Sequence, residues 1–222
     1  MQQSLLTEGR RRGPGGLAPK TVQNVHRMLH RALRDAVRWD YLARNPAEDA
    51  SSPRVPRKRP TDWTPDQLAA FLVHVRDDRF YALWLLAVTT GLRRGELAGL
   101  REGDLDLDRG RLSPGVTRVV VDGRVRTSEV KTHAGERSIA LDPATAAALQ
   151  LYLDSWRAER RQLGQTAPEL FVRRNGKPLH PDSITQMLHG LSDAAGLPRI
   201  RLHDVRHSYA SAALRAGCRQ RW

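Results

Sequence analysis

Four basic side chains, spread over three separated segments, have the types and spacing to do chemistry. Arg93 lies in Thr90-Gly-Leu-Arg93-Arg-Gly-Glu96-Leu, Lys131 in Val-Lys131-Thr-His-Ala-Gly-Glu-Arg137, and two more in His203-Asp-Val-Arg206. Two guanidinium forks, an ammonium and an imidazole are what is needed to hold and protonate a phosphodiester under attack. A guanidinium stays charged and meets two oxygens at once, which suits negative charge building on non-bridging oxygens. The leaving oxygen needs a proton and the attacking hydroxyl must lose one, tasks for imidazole and ammonium groups. No metal is required for this. The single cysteine, Cys218, offers neither metal-ligand spacing nor an intramolecular disulfide.

Taken one at a time, the segments are ambiguous. Arg93 follows Gly91 at a helix start, where unpaired amides also attract phosphate, and Glu96 shares its face and can orient the fork. The same residues read equally as a surface Arg–Glu pair of little energetic weight. Arg94 points elsewhere, to backbone or solvent. His203 and Arg206 share a helical face and can address one phosphate, or are a capping histidine with a surface arginine. His207 reads as packing or as a supporting hydrogen bond. Lys131, near a sheet turn, can deliver a proton to a leaving oxygen, or is a solvated loop lysine.

The elements that must position these groups follow from periodicity. Residues 7–19 form a Gly/Pro/Arg loop. Pro19 opens a helix with Val22, Val25, Leu29, Leu33 and Val37 at helical spacing, Lys20, Arg27, Arg31, Arg34 and Arg38 distributed around it, and Asn45-Pro46 as its end. Residues 51–60, with three prolines and the basic residues Arg54, Arg57, Lys58 and Arg59, read as an extended linker suited to lie along a phosphate backbone. Thr64-Pro-Asp-Gln67 is a capped helix start, and the apolar run after Arg79 predicts a core helix ended by Gly91. Residues 104–140 switch to strand patterning around Asp122-Gly123, which predicts one small antiparallel sheet. Helices after Asp142-Pro143, from about Asp182, and from about His203 complete the chain. The fold class is mainly α with a small antiparallel β-sheet.

Charge narrows the partners. Of 37 basic and 24 acidic residues, 13 and 5 fall in residues 1–60, 15 and 16 in 61–172, and 9 and 3 in 173–222. Two basic ends around a neutral middle point to two surfaces facing a polyanion, with Lys20, Arg54, Arg57, Lys58 and Arg59 as candidate contacts. An arginine-rich composition alone would not leave the middle neutral. The apolar stretch Ala82–Val88 is far too short to span a bilayer, and no signal-peptide pattern opens the chain, so a reducing cytoplasm is the expected compartment.

The joint order of these segments decides among the readings. TGLRRGEL, a hairpin lysine ahead of Arg137, and LHDVRHSYASAALRAG resemble the catalytic domain of the tyrosine recombinase, or phage integrase, family. LAPKTVQNVHRMLHRALRDAVRWDYLARNPA resembles the later part of that family's helical core-binding domain. The resemblance implies a partial core-binding domain over residues 1–50, a linker over 51–61 and a catalytic domain over 62–222. It implies double-stranded DNA as partner, with other recombinase subunits, and no membrane or small-molecule substrate. It further implies cofactor-free strand cleavage through a covalent 3′-phosphotyrosyl link, with Arg93, Lys131, His203 and Arg206 as catalytic residues.

One departure qualifies the expectation. After Arg215-Ala-Gly217 the family pattern continues to a later histidine or tryptophan and a nucleophilic tyrosine, whereas this sequence reads Cys218-Arg-Gln-Arg-Trp222. Tyr209 matches a packing position of the family helix. A chain shortened at both ends, gripping DNA with strand cleavage lost, is the expected product; a non-catalytic DNA-binding partner of a full-length recombinase is the alternative.

Overall fold

The computed structural model describes residues 2–10, 13–55, 62–129 and 137–215. The chain divides into two compact units, Met1–Arg59 and Pro60–Trp222. Lys131, Arg57, Lys58 and Arg59 lie outside the described residues.

Among its described residues the first unit holds two helices, α1 (Gln2–Glu8) and α2 (Pro19–Arg38). The short α1 escapes periodicity because its only large apolar residues are Leu5 and Leu6, and it takes over the start of the expected loop. In α2, steps of seven, four, three and four residues bring Lys20, Arg27, Arg31, Arg34 and Arg38 onto one exposed stripe rather than around the helix, opposite the Val22 face. The helix also ends earlier than Asn45-Pro46. Asp40 turns left-handed at φ 60°, and the amides of Asp40 and Tyr41 donate to Val37 O (3.1 Å) and Ala36 O (2.9 Å), closing a Schellman motif. Asn45 is buried in the following turn, where its Nδ2 donates to His30 O (3.1 Å).

The second unit opens with α3 (Pro65–His74), where Thr64 Oγ1 accepts from Gln67 N (3.3 Å) and Gln67 Oε1 from Thr64 N (2.9 Å), the expected capping box. Next come α4 (Tyr81–Thr90) and the short α5 (Arg94–Gly99). Every residue of α4 from Ala82 to Val88 is buried, and α4 contacts α3 and the two later helices α6 (Pro143–Leu163) and α8 (Leu202–Arg215). Its Trp84 meets Phe71 edge-on at 5.9 Å, the centre of a core that also takes in Phe171, Leu149 and Val205. Helix α7 (Pro181–Ala194) packs against α5.

The strands form two sheets among the described residues, not one. Strands β1 (Leu105–Asp106), β2 (Arg111–Leu112) and β5 (Ile139–Ala140) make a small antiparallel sheet in the order β1-β2-β5. Strands β3 (Val116–Val121) and β4 (Arg124–Glu129) form a separate hairpin. Its turn residues Asp122 and Gly123 have φ values of 50° and 74°, the left-handed pair that a two-residue turn requires. β3 is held by the backbone of α5. A Cβ on Gly95 would stand 2.8 Å from Arg118 O, and one on Gly99 2.8 Å from Val116 O, so this pair of glycines, one turn apart, lets helix and strand touch. Arg118 closes the contact beneath, donating to Leu179 O (2.9 Å) and Ala98 O (3.3 Å) beside Glu169.

Gly99→Ala tests this contact. Alanine gains about 0.5–1 kcal/mol of helix propensity, but the new methyl meets a backbone oxygen that cannot swing away, an overpacking cost of about 1–3 kcal/mol. Net destabilisation in urea denaturation is expected, while Gly103→Ala, with nothing within 4 Å, is near neutral. A Gly99→Ala protein as stable as the parent contradicts the close approach.

Candidate functional site

Gly91 ends α4 in the left-handed conformation at φ 59°, and the chain turns through Leu92 so that Arg93 becomes the N-cap of α5. Glu96, at the third helical position, reaches back to accept the Arg93 amide at 2.7 Å and its guanidinium at 3.0 Å. The Glu96 side chain is only 8% exposed, and Arg137 donates to its other side at 2.8 Å. One buried carboxylate therefore orients two arginines. The Arg93 side chain, 60% exposed, still presents its fork to solvent.

Helix α8 brings the second pair. Arg206 Nη1 donates to Gly91 O at 2.5 Å, which ties α8 to the α4–α5 turn. Burial, then the nearby charges of Arg137 and Arg93, pushes the Arg206 guanidinium below its usual range, partly opposed by Glu96. Among the described residues, Arg93 and Arg137 bond to Glu96 and Arg206 lies near enough to feel all three charges, an excess of positive charge that an anion would offset. The start of α8 is fixed from two sides. Asp204 is buried, accepts the Arg201 amide at 2.9 Å and takes the Arg201 guanidinium on both oxygens at 2.9 and 2.8 Å. Ser208 Oγ donates to Asp204 O (2.9 Å) and accepts from Trp63 N (2.8 Å), anchoring the helix to the first residues of the unit.

His203 is exposed, and its Nε2 lies 3.1 Å from Nε2 of His207 with the rings edge-on at 84°. A hydrogen bond between two such nitrogens needs one donor and one acceptor, so at least one ring is deprotonated there. Partial desolvation first, then the charges of His207 and Arg206, lowers the His203 pKa, which favours the neutral form of the imidazole.

The structure thus joins Arg93 and Arg206 in one cluster, with His203 one turn from Arg206. Lys131 lies outside the described residues. In the first unit, Lys20 is exposed and donates to Gln23 Oε1 (2.9 Å), and Arg54 is exposed in the extended segment. Arg94 turns away, pairing with Asp182 of α7 at 2.8 Å. Two participants were not assigned from sequence. Arg137 served only as a landmark beside Lys131, and its one signal was a charge immediately before a short strand. For His207 the sequence leaves packing and a supporting hydrogen bond both open, and its ring contact is with His203. Among the described residues no cluster of three or more His, Cys, Asp or Glu side chains could hold a metal ion, and no helix is long and apolar enough to cross a membrane.

Over most of its length the chain is similar to known proteins. The model of the phage integrase family matches residues 63–222. The ICEBs1 integrase of Bacillus subtilis is 25% identical over 91% of this chain and 56% of its own length. A tyrosine recombinase XerC of Chromohalobacter salexigens is 32% identical over 90% of this chain and 62% of its own length. The chain therefore spans little more than half of these curated relatives. Among solved structures, the Tn1549 transposon integrase in complex with transposon right end DNA superposes with a TM-score of 0.74 at 25% identity, covering 91% of this chain and 69% of that one.

The histidine contact has a measurable consequence. A folded-state pKa below the ordinary value of about 6.5 means that the unfolded chain binds the His203 proton more readily. Through this residue, stability is full above about pH 6.5 and erodes as pH falls from there toward the folded pKa. In a proton NMR titration the His203 ring is expected to titrate below its ordinary value, and His207→Asn is expected to move it upward, because His207 is among the groups that lower it. A His203 midpoint at or above the ordinary value in the parent protein contradicts this.

Proposed function

The chain belongs to the phage integrase family of tyrosine recombinases, and from that premise we propose that its second unit grips a phosphodiester of duplex DNA for transesterification. The carrying observation is the Arg93–Glu96–Arg137–Arg206 cluster, whose charge surplus and fixed forks match a phosphate. Arg93 and Arg206 meet the non-bridging oxygens, His203 handles a proton, and Lys131 serves the leaving oxygen. The Tn1549 integrase, at 25% identity, is described on transposon DNA, which supports DNA as the partner. In the first unit, the basic stripe on α2, which includes Lys20, together with Arg54, Arg57, Lys58 and Arg59, supplies backbone contacts that add affinity without sequence information.

We further propose that residues 1–222 hold the phosphate but do not themselves attack it. Tyr41 belongs to the first unit and is 78% exposed. Tyr81 and Tyr152 pack against the core, and Tyr152 donates to Leu170 O at 3.2 Å while burial drives its phenol pKa upward, the wrong direction for a nucleophile. Tyr209 lies on α8 itself, three residues beyond Arg206. A hydroxyl on the gripping helix is badly placed for in-line approach to a phosphate held by that helix. The attacking hydroxyl then comes from elsewhere, and another recombinase subunit is one source.

Two experiments address these readings. By fluorescence anisotropy on a duplex recovered by binding selection, Arg93→Ala and Arg206→Ala are each expected to weaken binding about 10-fold or more, as for loss of a charge-assisted hydrogen bond. Each should also lower the salt slope by about one. Salt-dependent binding indifferent to both substitutions would point to a purely structural DNA-binding role. On the same duplex carrying a nick, no covalent adduct surviving denaturation is expected. An adduct that forms and disappears in Tyr209→Phe overturns the second proposal.

A further inference from the structure

The cluster just described sits at the N-terminal end of α5, and a different basic cleft opens beyond its C-terminal end. It encloses about 850 Å³ between the turn at residues 101–104, the last turns of α6 and the segment 164–168. Four arginines line it, Arg101, Arg157, Arg160 and Arg161, against two acids, Glu102 and Asp104. Both acids are engaged. Glu102 takes Arg157 at 2.6 Å, and Asp104 accepts the amides of Arg101 (2.8 Å) and Gly115 (3.2 Å). The guanidinium groups of Arg101 and Arg161 have no acidic partner among the described residues.

Three buried polar atoms at this cleft lack any hydrogen-bond partner: Arg101 Nε, Trp156 Nε1 and Gln165 Oε1. Trp156 is only 5% exposed, so its indole N–H is a donor already withdrawn from water. Arg160 lies over its ring at 4.4 Å, fixing both planes. A buried donor with nothing to bind costs about 1–3 kcal/mol, and three orphaned groups among the residues lining one concave, positively charged wall are unusual for a surface feature. The donors call for an anionic acceptor; Gln165 Oε1 calls for a donor beside it.

We propose that this cleft is a second binding site, distinct from the Arg93–Arg206 cluster, for a phosphate group borne on a hydroxylated body. Arg101, Arg161 and Trp156 Nε1 meet the phosphate oxygens, and Gln165 Oε1 receives a neighbouring hydroxyl. The volume admits a ligand of nucleotide size. A free nucleotide and a backbone phosphate of DNA share this chemistry.

The test follows the Trp156 indole N–H by proton–nitrogen NMR, assigned through Trp156→Phe, while adenosine monophosphate, inorganic phosphate or a short duplex is added to the whole chain. With adenosine monophosphate, a saturable shift with Kd near or below about 1 mM is expected, weakened about 10-fold in Arg161→Ala and in Arg101→Ala. Arg161 is exposed, so its loss leaves the fold intact and keeps the test decisive if Arg101→Ala is unstable. The shift persists in Arg206→Ala, which separates this site from the reading of the first cluster. A shift produced by the duplex alone, with the same dependence on Arg161, assigns the phosphate to the DNA backbone. No shift with any of the three, or a shift insensitive to Arg161→Ala and abolished by Arg206→Ala, overturns the proposal.

Discussion

The Glu96 carboxylate is the group on which the second unit's geometry depends. Arginines gathered to receive a phosphate repel one another: two like charges about 4 Å apart cost on the order of 4 kcal/mol at an effective dielectric near 20. A single buried carboxylate between Arg93 and Arg137 lowers that cost and sets the direction of both forks. Its own burial is tolerable because the Arg93 amide and both guanidiniums satisfy its oxygens. α5 can hold that carboxylate in place because Gly95 and Gly99 seat the helix directly on β3. The orientation of a surface arginine thus rests on two missing side chains in the same short helix.

The same local device recurs. Arg93, Arg101 and Arg201 each precede an acid by three residues, and in each case the carboxylate accepts the arginine's own amide, at 2.7, 2.8 and 2.9 Å. The side chains then differ. Arg201 is fully engaged by Asp204 through two parallel contacts, which serves to begin α8 and hold the acid's pKa down. Arg93 is held by one nitrogen and keeps the rest exposed. Arg101 leaves Nε unpartnered in the second cleft. One motif spans a helix cap, an oriented fork and a buried unpartnered donor; what separates them is how many guanidinium nitrogens the carboxylate takes.

Much of this was legible in the amino-acid order because it depends on local chemistry. The Thr64 capping box, the core helix ended by Gly91 and the Asp122-Gly123 turn are all short-range rules, and each element stands where its residues put it. Arg93 and Arg206 could be named, but only their order along the chain joined them; their meeting through Gly91 O is a tertiary event with no sequence signature. The misreadings have the same origin. A left-handed Asp40 ended α2 ahead of the proline, since aspartate tolerates that conformation without announcing it. Strand patterning does not separate one sheet from two, because β3 is drawn away by its packing against α5 and α7, which the period of the strands does not encode. Arg137 was passed over because a lone charge before a short strand looks solvated until Glu96 is placed behind it.

The charge surplus links binding to folding. Burial first, then the neighbouring Arg137 and Arg93 guanidiniums, lowers the Arg206 pKa, so like-charge repulsion is an unfavourable term in this cluster, partly opposed by Glu96. An anion between the forks removes that term and adds charge-assisted hydrogen bonds, so it binds the folded state selectively and stabilises it. Preorganisation of this kind is also what stabilises charge developing on a phosphate in reaction, because the forks need not move when it appears. The grip and the attack are therefore separable physical functions. The first is built into the packing of α4, α5 and α8 and persists in any chain that folds this way; the second needs only a hydroxyl brought in line, from whichever segment or subunit can reach it.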